Sequence, residues 1–358
     1  MDSERILNSD SESCAMVDQG YPRGSCLVEV SEGRMKLACS VTLRRSEGIG
    51  YERLIKSLHL SRPEDYLSIY QSGCNHTCLK CHSHEFSKIA SGKWMSTKEI
   101  ADVAKIYRKD VTVFEPRKAA TSWHAHRLCR HCGSCVLYGT RPEGCPAKLR
   151  PEQVVLSPQG FGPARNIVAF TGGDILCRPE FYIEATQKIK EAANDLWVLL
   201  ETNGYGLTPR NLEAFAEGGI DAYWLDIKAY TEEVYRKLCG TTNVHILSCV
   251  EEIVNHGFAL EILTLYIPGF VETDEHVKIA NLVAEIDSKI PMTLLAFFPC
   301  YKLQSPDHRA PTAQEMADSY IAMREEGLEN LRIGNKGVFV KTEEDLQHLV
   351  DLIGPEVI

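Results

Sequence analysis

From about residue 66 onward, short runs of apolar, β-branched and aromatic residues alternate with segments of helical periodicity. This alternation is typical of parallel βα units. We therefore expect an α/β fold in which six units form an open, partial (β/α)6 barrel of the TIM type. In such barrels the chemistry is located at the carboxyl ends of the strands, so the residues that follow each run are the candidates for function. The runs that predict strands are residues 66–70, 166–170, 196–200, 222–226, 260–266 and 292–298.

Capping patterns mark the starts of three predicted helices. A Ser or Thr followed three residues later by Glu is a capping box, and Thr before Pro places a cap ahead of a favourable first helical residue. The signals are Ser96 with Glu99, Thr208 with Pro209, and Thr312 with Glu315.

The pattern also predicts how the chain is divided. We expect an amino-terminal extension over residues 1–60, the barrel over residues 61–310, and a carboxyl-terminal α/β cover over residues 311–358. In the extension, residues 26–45 predict a β-hairpin that turns at Gly33. The cover is predicted to contain a helix over 312–327, strands over 331–333 and 337–340, and a helix near 343–353.

Residues 82–165 are far more than one crossover between the first two barrel strands requires, so the sequence predicts an insertion over about residues 110–160. Residues 116–150 carry seven Lys or Arg and one Glu, a local charge of +6 that leaves −16 for the rest of a chain whose net charge is −10.

Composition excludes several classes of protein. A chain of 358 residues that is 44% hydrophobic can bury a large core. No run of eighteen apolar residues occurs and the first fourteen residues are polar and acidic, so we expect no membrane span, no secretory signal and a cytoplasmic location. The net charge of −10 argues against nucleic-acid binding that depends mainly on contacts with phosphates. Small molecules, peptides or proteins are the expected partners.

Fourteen cysteines in a chain with no secretory signal point to metal or redox chemistry. Cys74, Cys78 and Cys81 follow the first predicted strand with C-x3-C-x2-C spacing, which puts three thiols on one tight loop. A [4Fe-4S] cluster needs four ligands, one for each iron, so three cysteines leave one iron open to a substrate. The alternative is a zinc site completed by a histidine. The histidines near enough in sequence are His76, His82 and His84.

A second set of cysteines lies in the basic insertion and consists of Cys129, Cys132, Cys135 and Cys145, the last followed by proline. This run resembles the loops of ferredoxins, in which four cysteines saturate a second [4Fe-4S] cluster. The charge of +6 around it would compensate the negative charge of such a cluster. A structural zinc is the alternative, with His124, His126 and His131 as further candidate ligands.

Six motifs occur in order, each at the end of a predicted strand. They are GCNHTCLKCH at 73–82, TGGD at 171–174, ETNGYG at 201–206, DIKAYTEEVYRKLCGTTN at 226–243, YIPG at 266–269 and FFPCYK at 297–302. In these motifs the chain resembles the radical S-adenosylmethionine (SAM) superfamily. Within it, the chain is most similar to the branch of pyruvate formate-lyase activating enzymes and their archaeal relatives. The resemblance extends over about residues 66–335, apart from the insertion.

The resemblance implies that Cys74, Cys78 and Cys81 hold a [4Fe-4S] cluster whose open iron is chelated by the amino and carboxylate groups of SAM. One electron, supplied by a donor such as ferredoxin or flavodoxin, then cleaves SAM under anaerobic conditions. The resulting 5′-deoxyadenosyl radical abstracts hydrogen from a protein or peptide substrate. The SAM-contacting residues implied by similarity are Gly172, Gly173, Asp174, Glu201, Asn203 and Lys228.

Two other functions stay open: radical oxidation or rearrangement of a small metabolite, and a non-catalytic iron-sulfur electron carrier. The motif residues also have a purely structural interpretation, in which the glycines form turns and Asp226 pairs with Lys228 at the end of the barrel. The sequence departs from the family pattern at Asp174, where Glu is usual. It also departs at Lys80, where an aromatic residue is common; the Lys80 stem can pack near adenine while its head reaches water.

The remaining cysteines are assigned by their positions. Cys300 and Tyr301 follow the last barrel strand and are candidates to return a hydrogen atom or bind substrate, although a buried thiol often serves only as a small hydrophobe. Cys177, Cys239 and Cys249 are expected to pack in the core or on helices. Cys14, Cys26 and Cys39 are too far apart for one loop, so a third cluster is expected only if the fold gathers them.

Overall fold

The computed structural model describes residues 14–355 and has a mixed α/β fold around a central sheet. The strands are β1 (Leu27–Ser31), β2 (Arg34–Leu37), β3 (Leu43–Ser46), β4 (Gly50–Ser61), β5 (Tyr66–Gln71), β6 (Lys93–Ser96), β7 (Val155–Ser157), β8 (Gly160–Gly162), β9 (Ile167–Gly172), β10 (Trp197–Thr202), β11 (Ala222–Asp226), β12 (Ala259–Tyr266), β13 (Met292–Ala296) and β14 (Leu331–Gly334). The helices are α1 (Ala38–Thr42), α2 (His84–Ser87), α3 (Thr97–Asp110), α4 (Ser134–Leu137), α5 (Glu180–Ala192), α6 (Pro209–Glu217), α7 (Glu232–Cys239), α8 (Val244–Asn255), α9 (Thr273–Asp287), α10 (Ala313–Glu325) and α11 (Glu343–Ile353).

The central sheet has ten strands, in the order β14-β13-β12-β11-β10-β9-β5-β4-β3, with β6 paired to β4. Along the sheet from β5 to β14, every neighbouring pair of strands is parallel. On the other side of β5, the pairs β4–β5, β3–β4 and β4–β6 are antiparallel. All six strands predicted from the apolar runs are confirmed as β5 and β9 to β13. Because these strands are parallel, their carboxyl ends lie along one edge of the sheet, which we call the C-terminal edge, and their amino ends lie along the N-terminal edge.

Helices cover one face of this sheet in the same order as the strands. Contacts run from α3 to α5, α5 to α6, α6 to α8, α8 to α9, α9 to α10 and α10 to α11. Along the strands, residues such as Val168 and Phe170 pack in the main core, whereas Ile167 and Ala169 pack in a smaller cluster on the other face. Ala120, from the segment that follows α3, completes that smaller cluster.

The capping signals predicted three helix starts correctly. Ser96 and Thr312 each form a complete capping box, and the Thr208 side chain accepts a hydrogen bond from the Asn211 backbone. Residues 26–45 form the predicted hairpin only as far as Leu37, beyond which the chain turns into α1 and then β3.

Strand β4 was not predicted from the sequence, because polar and charged residues interrupt its apolar positions. Arg53 is fully buried there, and its guanidinium donates to the Gln71 side chain and to the Thr42 backbone. The amino-terminal extension therefore contributes strands to the central sheet beside β5.

One predicted strand is wrong: residues 337–340 do not continue the sheet. Asn335 adopts a left-handed conformation, with φ of 58°, directly after β14. The backbone N–H groups of Phe339 and Val340 then both donate to the Lys336 carbonyl, so they are used within a turn and not in a ladder. Helices predicted over 312–327 and near 343–353 are confirmed as α10 and α11. Within residues 14–355, no helix has the length and apolar character that crossing a membrane requires.

Candidate functional site

The loop that follows β5 carries the first three cysteines and lies at the C-terminal edge. Its backbone is tied to two neighbouring elements. The Asn75 N–H donates to the Asp174 carbonyl at 2.8 Å, and the Thr77 N–H donates to the Cys239 carbonyl at 3.1 Å. On the inner side, the buried Arg53 guanidinium reaches the Gly73 carbonyl at 3.5 Å. These contacts hold the loop between the end of β9 and the end of α7.

Lys88 lies near Cys74, Cys78 and Cys81. Cys74 and Cys78 are buried and Cys81 is half-buried. Burial alone would lower the pKa of Lys88, but the nearby Cys74, Cys78 and Cys81 thiols raise it overall. The ammonium also donates a hydrogen bond to the His76 carbonyl within the loop. Sequence reasoning missed Lys88, since a single lysine seven residues after Cys81 belongs to no recognisable pattern.

The thiols of this loop differ in their environments. Burial raises the pKa of the Cys74 thiol to about 11. The pKa of Cys78 is lowered instead, because the Cys239 thiol donates a hydrogen bond to it and Lys228 and Lys88 are close by. Cys239, at the end of α7, is thus in direct contact with the loop and is not only a helix-packing residue. The Cys81 sulfur lies 3.1 Å from the Ser87 hydroxyl.

The three histidines considered as zinc ligands point to other partners. His76 is fully buried, and its ring nitrogens contact the Asn75 side chain at 2.8 Å and the Tyr235 hydroxyl at 2.9 Å. His82 packs edge-on against Phe298, and His84 contacts the Cys81 carbonyl. Among residues 14–355, no three His, Cys, Asp or Glu side chains are placed to share a single metal ion. In a [4Fe-4S] cube each thiolate binds a different iron, so its ligands stand farther apart than those of one ion.

Asp174 and Asn203 link the ends of β9 and β10 to the first loop. The Asp174 carboxylate accepts hydrogen bonds from the Thr202 hydroxyl at 2.6 Å and from the Asn203 backbone at 2.9 Å. Burial raises the pKa of Asp174. The Asn203 amide donates to the Asn75 side chain at 2.7 Å and lies 3.8 Å from the Cys74 sulfur. Both candidate SAM-contacting residues therefore lie beside the first cysteine loop.

Gly172 and Gly173 pack against this loop closely enough to exclude a side chain. A methyl group at Gly173 would lie 2.2 Å from the Gly73 carbonyl oxygen, and one at Gly172 would lie 2.7 Å from the Phe86 ring. Gly172 also has a φ of 88°, which favours glycine. The fold itself thus requires glycine at both positions.

Glu201 and Lys228 both have partners within the protein. Glu201 accepts hydrogen bonds from the Tyr66 hydroxyl at 2.9 Å and the Thr171 hydroxyl at 2.5 Å. Burial raises the pKa of Glu201 to about 8. Lys228 donates to Asp226, and although burial acts to lower the pKa of Lys228, Asp226 and Cys78 raise it. Within residues 14–355, the second Asp226 carboxylate oxygen is buried without a hydrogen-bond partner, so one acceptor at this edge stays available.

Cys300 and Tyr301 also lie at the first loop. The Cys300 sulfur is 3.7 Å from the Cys81 carbonyl oxygen, and the Tyr301 ring stacks on His84 with centroids 4.8 Å apart. The head of Lys80 does not extend freely into water as expected: its ammonium lies 3.8 Å from the centre of the Phe298 ring. Burial lowers the pKa of Lys80.

The second set of cysteines lines a different cavity, of about 350 Å³ counting its open mouth. Cys129, Cys132, Cys135 and Cys145 all line it, together with Arg130 and Arg141. Nearby, the His131 ring contacts the buried Asp65 carboxylate, and Asp65 directly precedes β5. This cavity therefore lies at the N-terminal edge, at the opposite end of the parallel strands from the first loop.

The segment between α3 and this cavity covers the N-terminal edge. The fully buried Glu261 carboxylate, on β12, accepts hydrogen bonds from the Trp123 backbone at 2.8 Å and the Ser122 hydroxyl at 3.0 Å. Burial lowers the pKa of His124 to about 4 and that of His126 to about 3. Neither histidine is among the residues that line the cavity.

Comparison with known proteins shows similarity to one family over part of the chain. The Radical SAM superfamily profile matches residues 126–283, a range that contains the second set of cysteines and begins after the first. Over these residues the chain is similar to enzymes of the radical SAM superfamily. The family implies a [4Fe-4S] cluster and SAM as cofactors.

Two curated proteins that are similar to parts of this chain are both named as activating enzymes. A Methanocaldococcus jannaschii protein named as a candidate glycyl-radical enzyme activating enzyme is 28% identical over 39% of this chain and 54% of its own length. The pyruvate formate-lyase-activating enzyme of Clostridium pasteurianum is 27% identical over 36% of this chain and 53% of its own length. The chain thus spans about half the length of the curated relatives it matches.

Solved structures overlap with parts of the chain. A domain of the pyruvate-formate lyase-activating enzyme from Bacteroides vulgatus covers 47% of this chain and 98% of its own, with 19% identity and a TM-score of 0.38. The structure of TYW1 with a lysine-pyruvate adduct covers 73% of this chain and 74% of its own, with 17% identity and a TM-score of 0.41.

Proposed function

We propose that the protein is an activating-enzyme-like radical SAM enzyme that acts on a protein or peptide. Cys74, Cys78 and Cys81 would hold a [4Fe-4S] cluster whose fourth iron is left for SAM. Reduced by one electron from a ferredoxin- or flavodoxin-type donor, this cofactor pair supplies a 5′-deoxyadenosyl radical that abstracts hydrogen from the substrate. The activating-enzyme relatives support a macromolecular substrate.

One observation carries the proposal: three free thiols of one partly buried loop lie at the C-terminal edge of a parallel sheet, with the Lys88 ammonium nearby. Cys74, Cys78 and Cys81 come from a loop that the end of β9 and the end of α7 hold in place. The Lys88 ammonium near them would offset part of the negative charge that three thiolates bring to a buried cluster. The residues present therefore fit a cluster with three protein ligands.

The motif residues would shape the space beside the cluster. Asn203 lies against Cys74, and the Asp226–Lys228 pair lies near Cys78 with one carboxylate oxygen unused. That oxygen could accept a hydrogen bond from a ribose hydroxyl or an ammonium group. With a pKa of about 8, Glu201 would be largely protonated at neutral pH and would act as a hydrogen-bond donor.

For the second set of cysteines we propose an auxiliary [4Fe-4S] cluster in an insertion over about residues 110–160 of a partial (β/α)6 barrel. Its four cysteines would saturate the four irons, and Arg130 and Arg141 line the same cavity. Strand β5 separates the two sites, and its six residues span about 20 Å at a rise of roughly 3.3 Å per residue.

The two cysteine sets can be tested separately in protein purified under anaerobic conditions. Replacing Cys74, Cys78 and Cys81 by Ala should remove about four irons and four sulfides per chain and abolish the release of 5′-deoxyadenosine from SAM and dithionite. Replacing Cys129 and Cys132 by Ala should remove a similar amount of iron and sulfide while 5′-deoxyadenosine release persists.

The control is Cys249→Ala, a buried cysteine on α8 whose thiol donates to the Ile246 carbonyl. It should retain full iron content and full 5′-deoxyadenosine release. A wild-type protein that binds iron yet releases no 5′-deoxyadenosine would overturn the proposal and identify an electron carrier instead. Release that survives loss of the first three cysteines would also overturn it.

A further inference from the structure

Four cysteines that are distant in sequence line a single cavity near the first loop. The cavity is open to solvent and measures about 560 Å³ with its mouth included. The amino-terminal extension contributes three of the thiols, and the fourth follows the TGGD motif. The four cysteines are Cys14, Cys26, Cys39 and Cys177.

The fold explains how these residues meet. Cys26 immediately precedes β1, Cys39 lies in α1, and the Ala38 backbone N–H donates to the Cys26 carbonyl at 2.7 Å. This bond closes the hairpin and brings Cys26 and Cys39 together. Cys177 comes three residues after Asp174, in the turn whose Arg178 N–H donates to the Ile175 carbonyl at 2.8 Å. Cys177 packs in the main core, as expected, and it also lines the cavity beside the thiols of the extension.

This cavity has the same number of cysteines and arginines as the one at the N-terminal edge. Each is lined by four cysteines and two arginines, which here are Arg23 and Arg178. A single buried thiol packs as a small hydrophobe. Four thiols and the positive charge of Arg23 and Arg178 around one cavity suit a negatively charged thiolate cluster, although Arg178 also lies 3.6 Å from Glu180.

The thiols are close enough to influence one another. Burial raises the pKa of Cys26 to about 12, and repulsion from Cys39, Cys14 and Cys74 adds to this effect. Burial also raises the pKa of Cys177, again with contributions from Cys39, Cys26 and Cys14. All four are free thiols.

The cavity adjoins the first cysteine loop. The Cys26 thiol lies 3.9 Å from the Asn75 carbonyl oxygen, and Asn75 is the residue after Cys74. Asn75 lines the cavity, while its side chain contacts Asn203 on the other side. One residue of the loop thus separates this cavity from the proposed SAM site.

We propose that Cys14, Cys26, Cys39 and Cys177 bind a third [4Fe-4S] cluster, saturated by protein and adjacent to the SAM-binding cluster. Four thiolates suit either zinc or an iron-sulfur cluster. No three of the metal-binding side chains among residues 14–355 are placed to share one ion. A cubic cluster takes one thiolate at each of its four irons, which matches the four cysteines that line this cavity. This site goes beyond the proposed function, which needs only the first loop.

The test is made in a full-length chain that lacks the other two sets, with Cys74, Cys78, Cys81, Cys129 and Cys132 replaced by Ala. After anaerobic purification or reconstitution, this chain should retain about four irons and four sulfides, with the absorption and Mössbauer signature of a cubic cluster. Adding Cys26→Ala and Cys177→Ala should remove them, whereas adding Cys249→Ala should not. Retention of the cluster does not depend on SAM cleavage, so failure of the proposed function would leave this result intact.

A second measurement, on the wild-type protein, tests the proposal even if the variant with five substituted cysteines does not fold. Wild-type chain should bind about twelve irons, and the Cys26→Ala/Cys177→Ala variant about eight, with unchanged circular dichroism. A wild-type count of about eight that the double substitution does not reduce would overturn the proposal. Recovery of about one zinc per chain at these cysteines in place of iron would overturn it as well.

Discussion

The His131 ring nitrogen lies 2.9 Å from the Asp65 carboxylate, at the N-terminal edge of the sheet. Asp65 precedes β5, and Cys74 follows it, so the two ends of one strand lead to two different sets of cysteines. Cofactor chemistry in parallel barrels lies at the C-terminal edge. The contact between His131 and Asp65 therefore places the cavity lined by Cys129 to Cys145 away from the proposed reaction site.

The Asp65 contact gives a prediction about stability. The Asp65 and Arg62 side chains are 0% and 5% exposed, and Arg62 Nη1 lies 2.6 Å from Asp65 Oδ1. Asp65→Asn removes the charge but keeps a residue that tolerates the φ of 65° found here. We expect the free energy of unfolding to fall by about 3 kcal/mol, because a buried guanidinium loses its counter-ion. Urea unfolding monitored by circular dichroism would measure this.

His131→Asn serves as the comparison, since Asn also tolerates the φ of 58° at this position. It removes one contact to Asp65 while Arg62 stays paired, so the expected loss is about 1 kcal/mol. A loss as large as that of Asp65→Asn would show that the histidine, and not Arg62, is the main partner of the carboxylate.

Glu261 gives a second prediction, about the segment that covers the N-terminal edge. Its buried carboxylate accepts hydrogen bonds from Ser122 and the Trp123 backbone and lies 3.5 Å from the Arg332 guanidinium. Glu261→Ala leaves these donors buried without an acceptor, which should cost about 3 to 5 kcal/mol. Backbone hydrogen exchange over residues 117–128 should accelerate, because this carboxylate attaches the segment to β12.

Glu213→Ala, at an exposed position on α6, is the matched control and should change stability by no more than about 0.5 kcal/mol. Glu261→Gln should lie between the two, since its amide oxygen can still accept from Trp123. Unchanged exchange in residues 117–128 of Glu261→Ala would show that other contacts hold the segment.

Sequence patterns predicted the parallel part of the fold because its strands are buried on both faces and therefore read as uninterrupted apolar runs. All six were found within two residues of their expected ends. Strand β4 was missed because its buried Arg53 and Glu52 have polar partners inside the protein, so burial there does not correlate with hydrophobicity. Strand β12 was still predicted although its buried Glu261 has polar partners, because the residues around Glu261 are mostly apolar.

The candidate site was predicted to the extent that it is local in sequence. The C-x3-C-x2-C spacing identifies a loop, whereas the meeting of Cys177 with Cys14, Cys26 and Cys39 depends on how the hairpin packs against the end of β9. Lys88 likewise has a role only through its distance to three thiols. Residues that meet because two distant elements pack together have no fixed spacing in the sequence. Such contacts can therefore be recognised only in the folded structure.

The raised pKa of Glu201 predicts how stability depends on pH. Burial moves this pKa from 4.5 to about 8, so between these values the folded protein keeps a proton that the unfolded chain releases. The free energy of unfolding should therefore decrease as pH rises through this window, by up to about 1.4 kcal/mol per pH unit from this group, and level off above it. In Glu201→Gln this contribution is absent, and the decrease between pH 5 and pH 8 should be smaller. Urea unfolding midpoints of the wild-type and Glu201→Gln proteins at pH 5, 6.5 and 8 would measure this difference. If the midpoints of both proteins changed equally with pH, the raised pKa of Glu201 would not be the cause of the decrease.

Gly173 gives the last prediction, because it sets how closely the β9 loop approaches the first cysteine loop. In Gly173→Ala the new methyl group would lie 2.2 Å from the Gly73 carbonyl oxygen and 2.8 Å from that of Gln71, and both are backbone atoms that cannot rotate away. We expect a loss of about 1 to 3 kcal/mol in stability, with reduced iron at Cys74, Cys78 and Cys81 because their loop is displaced. Gly337→Ala, where no atom lies within 4 Å of the added methyl group, should leave both stability and iron content unchanged. Full iron content in Gly173→Ala would mean that the first loop holds its cluster without the close contact to the β9 loop.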